Sequence, residues 1–163
     1  MPAHTPGLPA VPDDLSTLGT LHRFQVVIVS YGEGHQDPPD DIHALTVNLV
    51  HALRNPPADP AVRDRLARLT GLDKTVREYV MNTPGARTLV DAAAERVRVL
   101  LLGWAQPRGK NVVVHVKCWG GRHRSVAVAS ELAALLAADG IGVEVEHRHI
   151  DRPLLPCRAG RAA

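Results

Sequence analysis

Val112-Val113-Val114-His115-Val116-Lys117-Cys118 runs directly into Trp119-Gly120-Gly121-Arg122-His123-Arg124-Ser125. The order is an apolar strand, a glycine turn and the start of a helix. The first N–H groups of a helix have no internal acceptor, and the aligned peptide dipoles make that end positive. Gly120 and Gly121 allow a tight turn and a close approach of ligand to backbone. Arg122, His123 and Arg124 add cationic donors at the same point, and Trp119 lies within the same loop. A phosphate is the natural guest of such a loop. Arg124 would clamp it through a planar fork with the Ser125 hydroxyl beside it, and His123 would either donate to it or pack. The plain alternative is a glycine turn with solvated arginines. Cys118 also has two readings. A thiolate there would be favoured by the helix start and the arginines, and Ser125 could donate to it, which describes a nucleophile. Otherwise the thiol simply lines the anion pocket. Phosphoester cleavage also needs an acid to protonate the leaving oxygen. Asp37, Asp40 and Asp41 form the acidic cluster that could face the site, and no pattern singles one out. Binding without catalysis is the preferred reading.

The rest of the chain must hold this loop in place. Phe24 to Val29 is a short apolar run, consistent with a buried strand, and Ser30-Tyr31-Gly32-Glu33-Gly34-His35 follows as a glycine loop at its carboxyl end. That position makes His35 a further ligand candidate. Leu45, Val47 and Leu49 alternate with polar residues as in a second strand, stopped by Asn55-Pro56-Pro57. Pro60 to Leu69 predicts a helix, Asp73 a cap for the next one to about Met81, and Thr83-Pro84 a cap for a helix reaching Trp104. Ser125 to Ala138 predicts a helix with Val128, Leu132, Leu135 and Leu136 inward and Gly140 as its stop. Val143 to His147 alternates as a final strand. Strands alternating with helices predict a single α/β domain, a layered sheet with helices on its faces. Ligands of such sheets bind at the carboxyl ends of strands, where both glycine loops fall. Residues 1–20, rich in Pro and Gly, are expected to be disordered, residues 21–152 to form the domain, and residues 153–163 a flexible basic tail.

Composition narrows the function classes. The chain has 163 residues, and a formal charge of +2 is too small to advertise nucleic-acid binding. Two cysteines, Cys118 and Cys157, make no disulfide framework and favour a reduced, cytoplasmic setting. No signal peptide and no membrane span is expected. Gly109-Lys110-Asn111 lacks the remainder of a Walker A motif. Nine histidines invite a zinc reading, but no Cys or His pair has the spacing for it, and no metal or other cofactor is expected.

Two families carry a loop like 118–125. The cysteine phosphatase signature C-x-x-G-x-x-R-[ST] is matched by Cys118, Gly121, Arg124 and Ser125. The second resemblance extends much further. The loop is similar to the G-C-T-G-G-x-H-R-S-V of the C-terminal domain of the bacterial RNase adapter protein RapZ, with Lys117 and Trp119 departing. Ser30 to His35 resembles that family's S-F-G-F-K-x-G, and Asn55 to Pro60 its N-P-x-x-D-P. Thr70-Gly71-Leu72-Asp73-Lys74-Thr75-Val76 matches T-G-L-D-K-x-V, and Val143 to Arg148 resembles V-x-x-R-H-R. The blocks occur in order from Phe24 to Asp151. The resemblance implies binding of an amino-sugar phosphate, glucosamine-6-phosphate, with His35, Cys118, Gly120, Gly121, His123 and Arg124 in contact with it. It also implies an RNA-adaptor role and a homo-oligomer. RNA binding should be weak, because Pro153, Leu154, Leu155 and Pro156 dilute the basic C-terminal extension. The family's Asp-x-Arg before N-P falls near Asn48 and Val50, which removes both charges. The alternative function is a cysteine-dependent phosphatase using Cys118, Arg124 and Ser125.

Overall fold

The computed structural model describes residues 24–54 and 56–156. The expected disordered segment 1–20, and the tail from Cys157 onward, lie outside the described residues. Four strands form one parallel sheet: β1 (Val26–Gly32), β2 (Leu45–Asn48), β3 (Val112–Cys118) and β4 (Val143–His147), in the order β2-β3-β1-β4. β1 is central, paired from Val26↔Val112 to Gly32↔Cys118 on one side and from Val26↔Val143 to Ser30↔His147 on the other.

Side chains alternate across a strand, and here the alternation divides the sheet sharply. Val26, Ile28, Leu45, Val47, Val112, Val114 and Val116 join one core with the buried stripes of α1 (Pro60–Ala67), α2 (Lys74–Met81), α3 (Ala86–Leu100) and α4 (Arg124–Ala138). The helices of this single α/β domain therefore gather on one face. The opposite face carries Val29, Tyr31 and His115, all buried, beside the exposed Glu144 and Glu146. The β1–β2 connection holds only the 3-10 turn Glu33–His35, so it brings no helix to that face. Tyr31 and His115 meet there edge to face at 5.9 Å.

Local chemistry explains the start of α1. Asp59 caps α1 by accepting the Ala61 N–H at 2.8 Å, with Pro60 at the first helical position. Two expected caps differ. Asp73 stands at the N-cap position of α2, but its carboxylate turns back to the Thr70 N–H at 2.6 Å and the Thr70 hydroxyl at 3.1 Å. Thr83 caps nothing: its hydroxyl donates back to the Tyr79 carbonyl, and α3 starts only after Gly85, whose φ of +85° turns the chain. The helix expected to reach Trp104 is α-helical to Leu100 and closes with a π-helical turn over Leu101–Ala105.

α4 lies against three strands and two helices, and Leu132 and Leu136 are fully buried in it while Leu135 is half-buried. Leu132→Ala should lower the unfolding free energy by about 2–5 kcal/mol, the usual cost of deleting a buried leucine side chain. Leu135→Ala should cost clearly less. Urea denaturation of the two variants at constant m-value checks the difference.

Candidate functional site

β3 leaves the sheet through α4 toward β4 at one edge, and β1 leaves through residues 33–44 toward β2 at the other. The chain directions diverge between β1 and β3, which is where open α/β sheets bind ligands. The Glu33–His35 turn and the 119–123 loop meet at this point. Their backbones touch: a Cβ on Gly32 would stand 2.6 Å from the Gly120 carbonyl carbon. Gly121 has φ +71° and faces the Gly32 backbone in return, so neither position admits a side chain.

The loop is held by its carbonyls. Trp119 O accepts the Gly34 N–H at 3.0 Å, and Arg122 O accepts the Gly71 N–H at 2.9 Å. Gly120 O lies 3.2 Å from His35 Nε2, which donates to it. In a trans peptide the C=O and N–H point opposite ways. The Gly120 N–H is therefore aimed away from Gly34, and the His123 N–H away from Gly71. Among the described residues, the N–H groups of Gly120, Arg122 and His123 have no hydrogen-bond partner. The Gly121 N–H instead turns inward and donates to Cys118 Sγ at 3.2 Å, and the Cys118 thiol donates to the buried Ser125 Oγ at 3.2 Å. Cys118 is 3% exposed, under the loop.

The basic side chains of the loop are spent on protein carbonyls. Arg122 donates from Nε to Leu69 O and from Nη1 to Arg152 O. His123 Nε2 donates to Leu69 O at 2.9 Å, and burial pushes its imidazole below the ordinary value. Arg124 Nη1 donates to Leu49 O at 2.7 Å and Ala52 O at 3.0 Å. The structure thus brings His35, Cys118, Gly120, Gly121 and Ser125 together, while Arg122, His123 and Arg124 brace the surrounding segments. Trp119 donates through Nε1 to Pro156 O at 3.2 Å, so residues 152–156 lie along one side of the loop. The departure at Lys117 has a local answer, a 2.6 Å ion pair with Glu33 on the neighbouring strand end. Asn48 accepts the Val50 N–H and turns the chain after β2.

Sequence reasoning missed His149. It is fully buried, its Nδ1 accepts the Gly32 N–H at 2.9 Å, and Nε2 therefore carries the proton and faces Asp37 at 3.4 Å. Its ring also packs against that of His35, with centroids 4.7 Å apart and the planes tilted by 59°. In the sequence His147 and His149 look like two equivalent positions of one strand, but β4 ends at His147, which instead pairs with the Ser30 hydroxyl at 2.7 Å. Asp37 is no free acid: it accepts from His149 and Arg148 and pairs with Arg152, contacts that hold its carboxyl below the usual carboxylate value. Among the described residues no group of His, Cys, Asp or Glu could hold a metal ion, and no helix is long and apolar enough to cross a membrane.

Burial holds His115, His123, His147 and His149 neutral by lowering their pKa values. The unfolded chain binds protons at these imidazoles before the folded one does, so stability rises with pH across this window. Their contribution should be present above about pH 6.5, the ordinary imidazole value, and be lost as the pH falls below it. A melting temperature that declines steadily from pH 7 to pH 5 is the expected result. A flat profile would show that these rings are not held neutral.

Residues 24–151 match the RapZ C-terminal domain. Proteins named nucleotide-binding protein are similar over the same span. That of Frankia alni is 38% identical over 131 residues, 80% of this chain and 43% of its own length. That of Streptomyces coelicolor is 37% identical over 130 residues, 80% of this chain and 41% of its own. That of Thermobifida fusca is 35% identical over 130 residues, with 80% and 42% covered. The chain therefore spans less than half the length of these relatives. The glycine loop braced against the end of β1 sits inside the matched span, and the chain belongs to the RapZ C-terminal domain family.

Proposed function

We propose that this domain binds a phosphorylated small molecule, a sugar phosphate such as glucosamine-6-phosphate, on the backbone of Gly120 to His123. In this reading it works as a sensor or adaptor. The supporting observation is the set of N–H groups at Gly120, Arg122 and His123, which have no partner among the described residues at the start of α4 while the carbonyls of Trp119, Gly120 and Arg122 are held. Donors fixed in this way accept an anion with little reordering. Arg122 and Arg124 contribute positive charge close by, the His123 ring is held neutral by burial, and His35 and Trp119 flank the loop. The name of the longer relatives, nucleotide-binding protein, agrees with a phosphate-bearing ligand. An RNA contact is secondary in this proposal, because Arg148 and Arg152 are already committed to Asp37.

The test is an amide NMR titration with inorganic phosphate and with glucosamine-6-phosphate. The Gly120, Arg122 and His123 amides should shift and saturate. Gly120 has open space where a Cβ would stand, so Gly120→Asp should fold while placing a carboxylate against the donors. Its affinity for phosphate should fall at least about tenfold, the loss of one charge-assisted hydrogen bond or more. Unchanged shifts in the wild type would remove the loop as the site.

The contacts of Cys118 with Gly121 and Ser125 favour a second reading, a cysteine-dependent phosphatase. Asp37, the member of the acidic cluster beside the loop, is held ionised by Arg148, His149 and Arg152 and is a poor proton donor. General-acid help is typically worth about 10²- to 10⁴-fold. At most slow turnover of an activated aryl phosphate is expected, abolished in Cys118→Ser, with no hydrolysis of a sugar phosphate. Rapid sugar-phosphate hydrolysis that disappears in Cys118→Ser would establish the enzyme.

A further inference from the structure

Beside the glycine loop, the described residues line an open cavity of about 480 Å³ between α1, α2, residues Leu53, Arg54, Pro56 and Pro57, and the first residues of α4. Cavities that take small molecules commonly measure about 300–1,000 Å³. Leu66, Val76 and Val80, all buried core residues, form its apolar floor. Arg54, Arg63 and Arg124 stand around it with His123, and among the described residues no carboxylate lines it. Among the described residues none of these three guanidiniums makes an ion pair. Among the described residues Arg63 donates only to Pro57 O, Arg124 only to Leu49 O and Ala52 O, and Arg54 makes no hydrogen bond. Carbonyl partners satisfy donors but leave the positive charge uncompensated. An apolar floor ringed by three unneutralised cations has a definite complement. Its occupant must cover apolar surface and also carry negative charge, and the planar guanidinium fork suits carboxylate, sulfonate or phosphate.

We propose that this cavity binds a small amphipathic anion, a flat apolar or aromatic body bearing one acidic group. The cavity borders the loop, since His123 and Arg124 also line it, but its apolar floor and the arginines at 54 and 63 are its own, and the proposal stands whether or not the loop backbone binds a sugar phosphate. Inorganic phosphate and a bare sugar phosphate lack the apolar body and do not fit the floor. Tyr79 in the wall offers a ring for the ligand body to pack on.

The probe is 8-anilinonaphthalene-1-sulfonate, titrated into the full chain and followed by fluorescence. Saturable binding at one site per chain is expected, at least about tenfold tighter than that of the uncharged N-phenyl-1-naphthylamine, since a charge-assisted contact is lost with the sulfonate. Arg54→Ala/Arg63→Ala should weaken the sulfonate dye by about tenfold or more and leave the neutral dye within a few-fold. Ala67→Phe, which fills the cavity, should weaken both dyes. Arg54 and Arg63 are exposed, so their double variant should fold even if the filled cavity does not. Circular dichroism and the phosphate titration of the loop amides should be unchanged in the double variant. Equal binding of the two dyes, binding indifferent to the arginine pair, or the absence of saturable binding would overturn the proposal. Competitive displacement of the dye by inorganic phosphate would move it to the loop and overturn the proposal as well.

Discussion

The contact on which the arrangement depends is between two stretches of backbone. β1 and β3 are parallel neighbours, and their register sets Gly32 opposite Cys118. Continuing past that pair, the chain from β3 folds its glycine loop onto Gly32 so closely that neither Gly32 nor Gly121 has room for a Cβ. A Cβ at either position would have forced the two loops apart. With glycine at both positions, hydrogen bonds can form between the loops, from Gly34 to Trp119 and from His35 to Gly120. His149 secures the other partner by taking the Gly32 N–H on a buried ring nitrogen.

That bracing divides the polar groups into two classes. Carbonyls are consumed within the protein, by neighbouring N–H groups and by the side chains of Arg122, His123 and Arg124. N–H groups at the start of α4 are left over. A buried polar group without a partner is costly, so such a surplus of donors is affordable only near solvent or an anion. The arginines act as struts that tie the segments around Leu49, Ala52 and Leu69 to the loop, and their charge adds to the positive end of the helix. A similar economy governs Asp37, which neutralises Arg148 and Arg152 beside the loop and leaves positive character concentrated at 120–124.

Much of this was legible in the residues themselves. The apolar run at 112–116, the period-2 run at 143–147, the apolar stripe of 125–138 and the Pro60 helix start are local signals, and each is found where the pattern puts it. The position of the glycine loop is legible for the same reason: strand, two glycines and helix start are contiguous in the chain, while its packing on Gly32 is not. Asp73 and Thr83 show where local reading stops. Both are good cap residues at plausible positions, yet Asp73 finds the Thr70 N–H and hydroxyl closer, and Gly85 supplies the turn that opens α3.

Tertiary structure decided what each side chain does with its charge. Arg124 is next to the loop in sequence, but its nearest acceptors are the carbonyls of Leu49 and Ala52, brought there by β2 pairing with β3. Asp37 becomes an ion-pair hub only because β4 ends beside the turn after β1 and delivers Arg148 and His149 to it. The gathering of the helices on one face follows from crossovers and their handedness, which no short window contains. The sequence by itself determined most of the elements and the place of the glycine loop, because periodicity and glycine turns act over a few residues. Partner choice among arginines, histidines and carboxylates was decided by the fold, because those partners lie up to 117 residues apart in the chain.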